Sequence, residues 1–453
     1  MPDTSTRRDL LDLATQVAGW AQGGEQVEAY VGRGRTTNVR VYEGSIEQMS
    51  VADSEGIGVR VVADGRQGFA YAGSLDESAL RETLAEARDN AGFGTPDEFA
   101  SVASPDGVDA ADIDPWDERL ASFPTERKID LAIDLERLVR AGDPRIRGLE
   151  SADYGDASGE AAIATSTGIR AWSRAGSCYL VAYSIAGEGD DTQTGYGVAV
   201  ARSPEDLDVE RCAREAVDRA TRLLGATKPA SERLTVVLEG PVTSDLLSIV
   251  SSTLSGDAVL KQRSLFADRL GEEVASPLLT LVEDPTDPAA FGAERFDDEG
   301  LATRRVPLIE NGVLKGFLYN TYAGRRAGVP STGSAARAGF KSTPGVGVRA
   351  IRLSPGDRSA AEIISSVDRG LLVTEVSGLH SGVNPVSGDF SVGASGVMIR
   401  GGELAEPARE MTIGSTIQRM LKDVVAVGND VVWSHGDAAE TTLAIADVSV
   451  SGT

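Results

Sequence analysis

Polar and apolar positions alternate in short runs from Gln26 to Tyr71, through "VEAYVGRG", "TTNVRVYEG", "SIEQMSVADSEG", "IGVRVVADG" and "RQGFAYAG". A period of two puts successive side chains on opposite faces of a strand, and Glu43-Gly44 and Asp64-Gly65 fall where two-residue hairpin turns need positive φ. The pattern predicts an antiparallel meander, preceded by an amphipathic helix in "MPDTSTRRDLLDLATQVAGW". The period then changes. In "SLDESALRETLAEARDNAG" the residues Leu80, Leu84 and Ala87 form a helical stripe, with Ser74 or Asp76 as cap and Gly92 as stop.

Residues 95–124 are rich in Pro, Asp and Ser and show no period, which predicts a connection. A helix from Thr125 to Ala141, long strands up to about residue 202 and a helix from Pro204 to Leu224 follow. The segment "GATKPASE" then divides the chain into an N-terminal region, 1–228, with an internal break near 95–124, and a C-terminal region, 229–453. The second region opens on the strand "RLTVVLEG" and the helix "SDLLSIVSSTLSGD". Here Ser244 reads as N-cap, Leu247, Val250 and Leu254 as the apolar stripe, and Gly256 as the stop. Ser248, Ser251, Ser252 and Ser255 share one face of that helix. Asn311-Gly312 in "RVPLIENGVLKGFLYN" is a hairpin signal, and glycine is frequent from Gly324 to Gly402, as in a β-rich domain. The fold class expected is α+β: an N-terminal α/β domain with an antiparallel meander, then a β-rich C-terminal domain. No solenoid-like repeat is visible.

Composition narrows the function. The net charge is -25, and only six of the 44 basic residues are lysine. Such a surface repels a phosphate backbone, which argues against nucleic acid as the main ligand. No run of about 18 apolar residues occurs, so no membrane-spanning helix is expected. The N-terminus lacks the apolar core of a signal peptide, and Cys178 and Cys212 cannot build a disulfide framework. The cytoplasm is the default compartment.

Catalytic chemistry is hard to find. His380 and His435 are the only histidines and sit in no paired metal-ligand spacing, so they read as loop or surface residues. Neither G-x-S-x-G nor S-x-x-K occurs, and a row of hydroxyls without a base is inert. In "RFDDEGLATRR" the carboxylates of Asp297, Asp298 and Glu299 could bind a metal or pair with Arg304 and Arg305, although a solvated turn is the commoner outcome. The glycine-rich stretches lack the lysine of a phosphate-binding loop.

Three ordered segments do carry a resemblance. "VRVYEGSIEQMSVADSEGIGVRVVADGRQGFAYAG", "GEEVASPLLTLVEDPTDPAAFGAERFDDEGLATRRVPLIENGVLKGFLYNTYAGRRAG" and "SGLHSGVNPVSGDFSVGASGVMIRGGELAEPAREMTIGST" resemble the TldD/PmbA family, also called modulators of DNA gyrase. That family contains zinc metallopeptidase chains with H-E-x-x-x-H on a helix and a later cysteine, and PmbA-type (TldE) chains without this set. The resemblance places the histidine, glutamate and second histidine on Leu247, Ser248 and Ser252, and the cysteine on Ala394. It therefore implies a chain with no zinc of its own, partnered by a TldD-like catalytic subunit that holds the zinc. In isolation a homodimer is open to it. The complex would degrade or mature short unfolded peptides, held on exposed strands, with Arg304, Arg305 and His380 as candidates for lining the chamber. The alternative is a stand-alone peptide-binding or regulatory protein. A second alternative is a metallohydrolase using His380, His435 and carboxylates.

Overall fold

The computed structural model describes residues 4–434 and 436–453, with side chains from Leu10 onward, so His435 lies outside the described residues. The chain is α+β, as the alternation of periods implies. The N-terminal half contains α1 (Thr4–Ala18), β1 (Gln26–Tyr42), β2 (Ser45–Ala63), β3 (Arg66–Ala72) and α2 (Glu77–Phe93). A short helix α3 (Glu118–Ser122) interrupts the connection. Then come α4 (Thr125–Gly142), β4 (Ile146–Thr165), β5 (Arg170–Ala186), β6 (Gln193–Ala201) and α5 (Val209–Thr221).

The six strands form one sheet in the order β3-β2-β1-β4-β5-β6 with antiparallel pairing throughout. Both hairpin turns lie where the sequence puts them: φ is 52° at Glu43 and 72° at Gly44, and 50° at Asp64 and 71° at Gly65. Each half of the sheet runs helix, three strands, helix, with β1 and β4 side by side at the centre. This internal duplication is a property of the backbone, with no visible sequence repeat. In both halves a glycine on the third strand lets the following helix approach. A Cβ on Gly68 would lie 2.0 Å from the Ala87 carbonyl oxygen, and one on Gly197 would lie 1.9 Å from that of Cys212.

The four long helices share one face of the sheet. Val27, Ala29 and Val31 of β1 pack under α1 and α2, and Val39 and Val41 of the same strand pack under α4 and α5. The other face of β1, through Glu28 and Tyr30, meets the C-terminal region.

Strand β7 (Glu232–Leu238) and helix α6 (Gly240–Thr253) open that region. β7 is central to a second six-stranded sheet, parallel to Arg369–Ser377 and antiparallel to Leu443–Ser451. Pairing of Thr412–Gly414 with Ser449–Ser451 closes five of its strands into a ring. The largest core lies between this sheet, α6 and a smaller sheet that includes Leu281–Glu283 and Val306–Glu310.

Several boundaries differ from the sequence expectation. α6 begins four residues before Ser244, because Glu239 adopts the extended cap conformation and Pro241 occupies the first turn. Ser244 is thus inside the helix, where its hydroxyl donates to the Ala438 carbonyl at 2.9 Å. α6 ends at Thr253, not at Gly256, which instead begins a separate short helix, Gly256–Leu260. α2 runs past Gly92 to Phe93. The segment 204–224 splits into a 3-10 turn at Pro204–Asp206 and α5, capped by Asp208.

Candidate functional site

Helix α6 packs one face into the core, burying Val242, Leu246, Leu247 and Val250. Leu247 is 1% exposed, whereas Ser248 and Ser252 face solvent on the same helix. The helix therefore presents the two serines together but not Leu247. Both hydroxyls are turned back onto the helix: Ser248 donates to the Ser244 carbonyl at 3.0 Å and Ser252 to that of Ile249 at 2.7 Å. Ala394 lies on the strand Asp389–Arg400, paired with Val376 and Met411, and is buried in the same core as Leu247.

The crevice between α6 and these strands is nearly filled. Val242, Leu246, Val376, Phe390 and Ile413 line it, Asp245 reaches its edge, and its free volume is about 10 Å³. A single water needs about that much space and several polar partners. Zinc requires imidazole, thiolate or carboxylate donors around it. Leucine, two self-satisfied hydroxyls and an alanine do not fit that ion. Among the described residues no group of three or more His, Cys, Asp or Glu is arranged to hold a metal.

Larger open spaces lie elsewhere, on the far side of β1, β2, β4 and β5. Two adjoining clefts of about 620 and 1070 Å³ share Arg33, Ser54, Glu160, Trp172 and Arg174. The first is closed by Phe291, Phe296 and Phe340 of the C-terminal region, the second by the connection around Asp112–Trp116. Glu160 accepts from Arg33 Nε at 2.5 Å and from Trp172 Nε1 at 3.1 Å. Arg174 binds Asp114 at 2.7 Å and Glu118 at 3.0 Å, and its guanidinium stands 5.3 Å from the Trp116 ring. Arg202 donates to the carbonyls of Pro115 and Ala290, at 3.1 and 2.6 Å, and burial pulls its ionisation down. The walls thus combine aromatic faces with anchored guanidinium groups, a chemistry suited to an extended polypeptide.

Arg304, Arg305 and His380 line neither cleft. Arg304 is half-buried and pairs with Asp106 at 2.6 Å. Arg305 is exposed, 3.8 Å from Asp284. His380 is exposed on the short helix Leu379–Gly382.

The acidic run beside them is not a solvated turn. Asp297 is 1% exposed and Glu299 is fully buried. The reason is the guanidinium groups that gather there, Arg60 from β2 and Arg337 and Arg349 from the C-terminal region, which meet these carboxylates and Glu28 of β1. Arg60 donates to Glu28 at 2.6 Å and to Glu299 at 3.2 Å, while Arg337 donates to Glu28 at 2.7 Å and Arg349 to Asp298 at 2.7 Å. Asp297 accepts the backbone N–H groups of Glu299, Leu301 and Ala335. Burial raises Glu28, but Arg60 and Arg337 outweigh it and hold the carboxyl below its ordinary range. Burial raises Asp297, and the neighbouring Glu299 charge adds to the effect. This network joins the two halves of the chain at the rim of the smaller cleft, and Glu28, Arg60 and Arg337 were not singled out by any sequence motif.

Comparison with known proteins covers nearly the whole chain. Models of the PmbA/TldA metallopeptidase match in three consecutive parts: domain 1 over residues 27–91, the central domain over 118–224 and the C-terminal domain over 231–452. The metalloprotease PmbA of Escherichia coli is 27% identical over 94% of this chain and 92% of its own. A crystal structure of a candidate modulator of a DNA gyrase from Thermotoga maritima superposes with a TM-score of 0.87 at 26% identity, covering 99% of this chain and 100% of that one. TldE from Thermococcus kodakarensis has the same fold, with a TM-score of 0.87 at 22% identity over 99% of this chain and 100% of that chain.

Proposed function

The chain belongs to the PmbA/TldD metallopeptidase family, and from that premise we propose that it is the non-catalytic member of a two-chain peptidase. Its partner is a TldD-type subunit that supplies the zinc and its histidine ligands. The observation that carries this reading is the composition of the α6 site. Leu247 belongs to the core, Ser248 and Ser252 spend their hydroxyls on the helix itself, and Ala394 has no donor atom. Without a Lewis acid or a base, water keeps its high pKa and an amide has no local route to hydrolysis.

The chain's contribution is binding. The adjoining clefts form one wall of a chamber for short unfolded peptides in the cytoplasm, with backbone carbonyls of the peptide meeting the guanidinium and indole groups. Among the described residues no helix is long and apolar enough to cross a membrane.

Elemental analysis tests the division of labour. The purified chain is expected to retain no stoichiometric zinc through dialysis, while its complex with the TldD-type chain retains one zinc per catalytic partner. Stoichiometric zinc in this chain alone overturns the reading. Failure of any chain with H-E-x-x-x-H to pair with it leaves a stand-alone peptide-binding protein.

A further inference from the structure

β2 and β5 occupy equivalent places in the two halves of the N-terminal sheet, and each is longer than the third strand beside it. β6 begins to pair with β5 only at Cys178, and β3 with β2 only at Ile57. Each half therefore leaves a stretch paired on one side only: residues 170–177 on β5 and 45–55 on β2. On β5 the chain covers its own edge. The segment from Asp114 to Leu120 is clamped there by Arg174 and by Leu120, which is buried in the adjoining core.

On β2 nothing among the described residues does the same. All of residues 45–55 are exposed, on both faces, and their only strand partner is β1. Ile46, Met49 and Val51 lie there in the open, at 47%, 39% and 42% exposure. A bulge at Glu47, between the pair of Val41 with Ile46 and that of Arg40 with Gln48, twists this edge locally, but a long unpaired edge with exposed apolar side chains still recruits another strand unless it is covered. Its far end, Asp53 to Glu55, is part of the larger cleft wall.

The charges select the occupant. A second copy pairing antiparallel about Ser50 would set Glu47 against Asp53 twice, and like charges directly opposite are destabilising. Asp53 pairs with Arg35 of β1 at 3.5 Å, and a strand carrying lysine or arginine would meet the other two carboxylates, Glu47 and Glu55, favourably. We propose that the edge of β2 from Ser45 to Glu55 is the docking strand for an extended peptide bearing basic residues, which it aligns by backbone pairing and leads into the cleft. This inference rests on the reading of the chain as a holder of unfolded peptides.

The test uses the full chain, a short fluorescein-labelled peptide of alternating valine and lysine, and its valine–glutamate counterpart. Fluorescence anisotropy at low salt is expected to show the lysine peptide binding about tenfold more tightly. The double variant Glu47→Lys, Glu55→Lys should reverse that order, and amide exchange of residues 45–55 should slow on binding. Equal affinity for both peptides in every variant, or protection on another strand, overturns the docking site while leaving peptide holding intact. Protection of 45–55 in the free chain together with a dimeric mass assigns the edge to a second copy and also overturns it. Absence of any peptide binding removes both this site and the reading beneath it.

Discussion

Replacing Arg60 by methionine is expected to lower the unfolding free energy by about 3–5 kcal/mol. Arg60 is 4% exposed at its side chain and faces two carboxylates, Glu28 at 2.6 Å and Glu299 at 3.2 Å, that are themselves closed off from water. Removing the guanidinium leaves Glu28 with Arg337 alone and Glu299 with only the Thr321 backbone N–H at 2.8 Å. The cost is that of a buried charge stripped of its partner, not the net worth of the pair, so a second change should recover part of it. Arg60→Met combined with Glu299→Gln is expected to be less destabilised than Arg60→Met alone. Urea denaturation of both single variants and the double variant measures the coupling. Additive losses would show that the network is solvated.

Glu283→Gln is expected to change the pH dependence of stability more than its value at low pH. Glu283 accepts the backbone N–H of Arg349 at 2.8 Å, but burial dominates and lifts its carboxyl to about 7. Between an ordinary carboxylate pKa and that value the folded chain holds a proton that the unfolded chain has released. Its stability therefore falls as pH rises through this window, and the full penalty is present above about 7. Glutamine removes the penalty. The variant should equal the parent near pH 4.5 and exceed it at pH 8 by on the order of 3 kcal/mol. A difference independent of pH would mean that the carboxylate ionises in the folded state as it does in water.

The local fold was legible because turn chemistry and period are local. Glu43-Gly44 and Asp64-Gly65 adopt the positive φ values their residue types permit, and Leu80, Leu84 and Ala87 are buried as their spacing requires. The ionic junction was not legible, because it depends on one irregularity in a hairpin. Tyr42 opposes Ser45, but a bulge between Arg40 and Val41 shifts the register so that Glu28 opposes Arg60. Without that extra residue Glu28 would face Val59, and Arg60 would point to the other face. The burial of Asp297 and Glu299 follows from that distant register, which is why a solvated turn was the natural reading of "RFDDEG". The α6 site illustrates a different limit. The apolar stripe with Leu247 was visible in the period, but the serines do not form one exposed face: Ser248 and Ser252 face solvent, Ser251 is 1% exposed, and Ser255 lies beyond α6 at the start of the next helix. The clefts were hidden because their walls come from β1, β2, β4 and β5 together with loops remote from them in sequence, around Asp112–Trp116 and at Phe291, Phe296 and Phe340.

The central claim is that this chain binds peptide but does not cut it. The most direct measurement is hydrolysis of an unstructured peptide by the purified chain alone, by the TldD-type partner alone and by the two mixed, with zinc present throughout. The account predicts no turnover from this chain at any concentration and cleavage that rises on adding it to the partner. Cleavage by this chain alone, abolished by a chelator, would contradict it.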